Sequence, residues 1–136
     1  MKKGVNISAL LIIMFIISCT TNYNKIATIK NNTSNTITYL LRENGMMTDS
    51  SLYNDTSYMT HLIKPQRYDN YIIPDSNLTK APDSAKTYIY LLRLDSLNKF
   101  RRLKLIDGIL KHSIIKKIVV QLNKVNEKPL DTIYVR

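Results

Sequence analysis

The chain has 136 residues and a formal net charge of +10, from twenty Lys and Arg against ten Asp and Glu. That length holds one domain of common size with a modest core. A single cysteine excludes an internal disulfide or a thiolate metal cluster, and three glycines leave no phosphate-cradling loop.

The first segment is organised like an export signal. Lys2 and Lys3 form a short basic start, and Val5 to Ile17 is almost continuously apolar, broken by Asn6 and Ser8. A run of about a dozen residues is short of the roughly 20 needed to span a bilayer, but it fits the apolar region of a signal peptide. Beyond Cys19 the chain turns polar at once. Ile16-Ile17-Ser18-Cys19 supplies an aliphatic residue three before the cysteine and a small residue immediately before it, as in a bacterial lipoprotein signal. A chance cysteine in an ordinary secretory signal would have no reason to fall there. The expectation is cleavage between Ser18 and Cys19, with Cys19 carrying an S-diacylglycerol and an N-acyl group. Residues 1–18 are then the signal, 19–24 a lipidated tether and 25–136 one domain. Removal of 18 residues leaves 118, and loss of Lys2 and Lys3 lowers the charge to about +8.

Lys25–Lys30 alternates as a strand, and Asn31–Asn35 is a dense cluster of turn formers. Thr36–Arg42 is rich in β-formers and predicts a second strand, paired as a β-hairpin or arranged as a β-arch, and closed by Glu43-Asn44-Gly45. Met46–Thr60 is polar and reads as a long loop, with a short strand near Tyr58–Ile63. Tyr68–Ile73 predicts a strand stopped by Pro74, and Asp75–Lys86 a loop. Thr87–Leu94 gives the strongest strand pattern: Tyr88, Tyr90 and Leu92 face one way, Ile89 and Leu91 the other. Apolar character on both faces marks a central strand.

Leu97, Phe100, Leu103 and Ile106, three apart, predict a short helical insert near residues 95–107. Asp95 or Ser96 is its expected N-cap and Gly108 its stop. Ile114–Leu122 fits either a helix face or a strand face; the β-branched run Ile118-Val119-Val120 favours strand. Asn123–Pro129 reads as a turn and Leu130–Val135 as a final strand, making a C-terminal hairpin-like pair. The sum is a mainly β chain, a small immunoglobulin-like β-sandwich with one helical insert.

No catalytic constellation emerges. His61 and His112 have neither an i, i+4 partner nor an acidic pair at metal-ligand spacing, and no Gly-x-Ser-x-Gly elbow is present. The expectation is no enzyme, no cofactor and no metal. Nine tyrosines, against two phenylalanines and no tryptophan, open a second reading as a glycan-binding module. Tyr88 and Tyr90, at strand spacing, are more simply packing residues. Lys99, Arg101, Arg102, Lys104, Lys111, Lys116 and Lys117 are opposed by Asp107 alone. Such a stretch suits anionic headgroups or an acidic glycan, or is simply a solvated face. Nucleic acid is not an expected partner of an exported, tethered domain.

The lipobox at Cys19, the Asn31–Asn35 turn leading into Thr36-Ile37-Thr38-Tyr39, and Tyr88-Ile89-Tyr90 running into Asp95-Ser96-Leu97 together resemble the small outer-membrane lipoproteins of Bacteroidota. The resemblance implies a cell-envelope protein in the outer membrane, held through the Cys19 lipid, in a group whose role is commonly unassigned; the first reading of its role is a non-catalytic structural or protein-interaction module that binds another envelope protein. Thr20–Lys25 lacks the acidic residues associated with surface display in that group, which implies a periplasm-facing domain. The resemblance also implies O-glycosylation candidates at Asp-Ser/Thr triplets: Ser84, Ser96 and Thr132.

Overall fold

The computed structural model describes residues 23–43, 46–74, 82, 84–125 and 130–136. Among these residues seven strands form two sheets, and the fold is mainly β. β1 (Tyr23–Asn31), β4 (Tyr68–Pro74) and β7 (Ile133–Val135) form one sheet in the order β4-β1-β7. β2 (Ile37–Glu43), β3 (Leu62–Ile63), β5 (Lys86–Arg93) and β6 (Ile114–Gln121) form the other, in the order β3-β2-β5-β6. The sheets pack as a small β-sandwich around Ile26, Ile29, Ile37, Tyr39, Ile89 and Leu91.

A bulge in β1 explains how its apolar residues share a face. Ile26 and Ile29 are three apart, so strict alternation would put them on opposite sides. The register with β4 shifts between Lys25 and Ala27, inserting Ile26 as an extra residue. Ile26, Ala27 and Ile29 are all fully buried as a result.

The turn 32–36 joins strands of different sheets, so β1 and β2 form an arch and not a hairpin. Asn31 organises it. Its buried amide donates to the carbonyls of Asn35 (2.8 Å) and Ile63 (2.9 Å) and accepts from the N–H and hydroxyl of Thr33.

The second sheet is covered on its far face too. Leu40, Tyr90 and Leu92 point away from the sandwich into a second core with Met47, Leu52, Tyr58, Leu97 and Ile109. This second core is why the β5 sequence is apolar on both faces. It is built by α1 (Asp49–Asn54), a 3₁₀ turn (Ser57–Thr60), α2 (Leu94–Arg102) and α3 (Ile109–Ser113).

Several local expectations are corrected. Residues 46–60 are not a loop: Thr48 caps α1 by accepting from Ser51 N–H, and Ser51 returns a bond to Thr48 N–H. The strand expected near Tyr58–Ile63 is confined to Leu62–Ile63. Arg93, without a side-chain cap bond, is the N-cap of α2 in place of Asp95 or Ser96. That helix stops at Arg102, so Leu103 and Ile106 are exposed. Gly108, at φ 78°, does not end it but starts α3. Its lack of a side-chain cap is made good from a distance, since the Asp49 carboxylate accepts from Gly108 N–H (2.9 Å) and Leu110 N–H (2.7 Å). Residues 114–121 are a strand. The C-terminal strand shrinks to Ile133–Val135 and pairs parallel with β1, so it forms no hairpin with β6. The expected features at 44–45, 75–81, 83 and 126–129 lie outside the described residues.

Candidate interaction surface

One lateral side of the sandwich is open. β6 is the last strand of its sheet and β7 the last of the other, and among the described residues neither has a second neighbour. Only three residues of β7 pair with β1, at Ile29–Asn31, while β6 runs for eight. Between the two edges lies a groove of about 800 Å³, walled by Lys116–Val119 on one side and Leu130–Tyr134 with Arg136 on the other. Ile118, Leu130 and Ile133 are only partly buried against the sandwich core and form its apolar floor.

The register of β6 sets the charge of this groove. A bulge places both Ile114–Leu92 and Lys116–Leu91 in register, leaving Ile115 extra. Lys116 therefore stands opposite Leu91, a core residue, where an apolar side chain would normally sit, and it remains exposed. An inward-set charge on an edge strand opposes indiscriminate strand pairing. Lys117 faces the other way and lays its ammonium over Tyr88 (4.7 Å) and Tyr90 (5.6 Å). Lys116 and Arg136 thus bring cations to the groove, Lys117 flanks it on the opposite face of β6, and Asp131 is the one acidic side chain among the lining residues.

The rest of the basic stretch divides. Arg101 is structural: its guanidinium donates to the carbonyls of Leu52 (2.7 Å) and Asp55 and lies 4.4 Å from the Tyr58 ring centre. Lys99, Arg102, Lys104 and Lys111 are exposed. The basic residues therefore do not form one face.

His61 stacks on Tyr39, with ring centres 4.4 Å apart, and its Nδ1 is 3.8 Å from Asp69 Oδ2. Tyr39 donates to the same carboxylate at 3.0 Å. Burial, reinforced by the Asp69 charge and hydrogen bond, pushes the Tyr39 phenol well above its usual range. His112 stacks on Phe100 at 5.4 Å. Among the described residues no His, Cys, Asp and Glu group could hold a metal ion, and no helix is long and apolar enough to cross a membrane.

Tyr88 and Tyr90 are packing residues, as their strand spacing implied, and are not available for glycan contact. Tyr90 is buried and Tyr88 half-buried beneath Lys117. Among the described residues the exposed pair is instead Tyr68 and Tyr134, which flank Lys30 in one row across the solvent face of the β4-β1-β7 sheet. The pairing of β7 with β1 creates this row, and no local sequence signal marks it.

Of the glycosylation candidates, Ser84 and Thr132 are exposed, and Thr132 stands on the wall of the groove. Ser96 lies in the first turn of α2, and its hydroxyl donates to the His112 carbonyl at 3.1 Å. Ser18 and Cys19 lie outside the described residues. Compared with known family models, curated proteins and solved structures, the chain matches none.

Proposed function

We propose that this protein is a lipoprotein of the bacterial cell envelope whose folded part is a non-catalytic protein-interaction module. In this reading Ser18-Cys19 is cleaved, Cys19 carries the diacylglycerol and N-acyl groups, and the domain faces the periplasm from the outer membrane. The observation that carries it is the placement of the single cysteine, after an apolar run and four residues before β1 begins at Tyr23. Four residues reach at most roughly 14 Å when extended. The tether therefore keeps the start of β1 close to the bilayer, and two or three acyl chains hold it there stably. The open groove between β6 and β7 supports the interaction role, because exposed strand edges pair readily with a second chain.

Metabolic labelling with a fatty-acid analogue tests the anchor. Wild type is expected to label and Cys19→Ala not to. Equal labelling of the two, or none of wild type, contradicts it.

A second reading, glycan binding, is favoured by one observation, the exposed Tyr68–Lys30–Tyr134 row. Two strand spacings set these rings about 10 Å apart on an open face. Glycan-array binding by wild type and its loss in Tyr68→Ala/Tyr134→Ala would favour this reading over protein interaction.

A further inference from the structure

We infer that the free edge of β6 takes up an extended acidic segment of another protein as an added strand. This names the partner class for the interaction role proposed above and rests on that reading. A peptide laid along an exposed edge gains main-chain hydrogen bonds for affinity and side-chain pockets for specificity. Both are present here. The eight-residue edge of β6 offers an unpaired ladder among the described residues, and beside it the groove exposes Ile118 and Ile133 on its floor.

Charge selects the occupant. Lys116 and Arg136 bring cations to the groove, Lys117 flanks it on the outer face of β6, and Asp131 is the one acidic side chain among the lining residues. On a strand added to β6, inward side chains would meet Lys116 as well as Ile118 and Ile133, a carboxylate pairing with Lys116 and apolar groups with the isoleucines, while outward carboxylates would lie beside Lys117. A second copy of this chain fits poorly. Pairing β6 with itself brings four lysines to one seam, and every register that sets them opposite one another is destabilised.

The test uses the mature chain, residues 19–136, with Cys19→Ser so that no lipid is attached. A random decapeptide display library is selected on this protein, and enriched peptides are resynthesised. They are expected to carry net negative charge with alternating apolar residues. Peptide binding should slow amide exchange in 114–121. Affinity should fall at least tenfold in Lys116→Glu/Lys117→Glu. Because Lys117 also packs on Tyr88, Lys116→Glu/Arg136→Glu, which changes two exposed side chains, is measured alongside and should lose affinity similarly. The inference is overturned by any of four results: no enrichment, enrichment of neutral or basic peptides, slowed exchange away from β6, or undiminished affinity in both variants. Concentration-dependent self-association that protects β6 without peptide also overturns it, in favour of a second copy. Failure of fatty-acid labelling would leave this result standing, and failure of peptide binding would leave the anchor standing.

Discussion

Tyr39 on β2 donates its phenolic proton to Asp69 on β4 at 3.0 Å, tying the two sheets together across the sandwich. Tyr71 of β4 is buried in the same core. Tyr39 is buried, so its hydroxyl needs the partner it has. Removing the hydroxyl in Tyr39→Phe should lower stability by about 1 kcal/mol, measured by chemical denaturation.

The same burial makes the domain sensitive to alkali. The phenols of Tyr39 and Tyr71 are both raised, mainly by burial, above the ordinary value of 10.0. The unfolded chain therefore ionises first. Stability is fully present below pH 10 and falls as pH rises toward the raised folded values. Denaturation midpoints should drop above pH 10 in wild type, and less so in Tyr39→Phe.

Asp55 gives the opposite dependence. Burial alone would raise its carboxyl, but the Ser57 hydroxyl and N–H and the Arg42 guanidinium outweigh it and hold the value below 3.8. Its contribution is complete above that pH and is lost as pH falls through the lowered folded value. Asp55→Asn should destabilise the domain at pH 7, with the difference from wild type shrinking in acid.

The distant cap on α3 is testable through both partners. Asp49→Ala leaves Gly108 N–H and Leu110 N–H without their acceptor and should cost about 1–2 kcal/mol. Gly108→Ala forces a side chain into the left-handed region at φ 78°, with its Cβ 3.4 Å from His112 Cδ2, and should cost about 1 kcal/mol. Thermal melts of the two variants check both values.

Asn31 is predicted to be the most sensitive polar position of the arch. Asn31→Leu fits the volume but strips partners from Thr33 N–H, Asn35 C=O and Ile63 C=O. A loss of about 2 kcal/mol or more in denaturation is expected.

What the sequence made legible is what burial dictates over a short span. β5 was plain because each of its faces meets a different core, and the Asn-rich turn was plain because its residue types bend the chain locally. Features set by distant partners were hidden. Leu103 and Ile106 continue the helical spacing of Leu97 and Phe100, yet α2 ends before them and Lys104 turns the chain at φ 54°. α1 has six residues and buries only Leu52, too little to show as a periodic pattern. The pairing of β7 with β1 crosses the whole chain, so neither Ile133 nor Ile29 carries a local sign of it. The groove inherits that difficulty, since its two walls meet only through the topology. The positioning of Cys19 is the reverse case, a purely local pattern read without any fold.

The proposed anchor at Cys19 is tested by the mass of the N-terminal peptide of the mature protein, isolated from membranes of cells that process lipoproteins. The expected peptide begins at Cys19, and its mass includes a diacylglycerol thioether and an amide-linked acyl chain. A peptide that retains residues before Cys19, or that begins at an unmodified Cys19, would contradict the anchor.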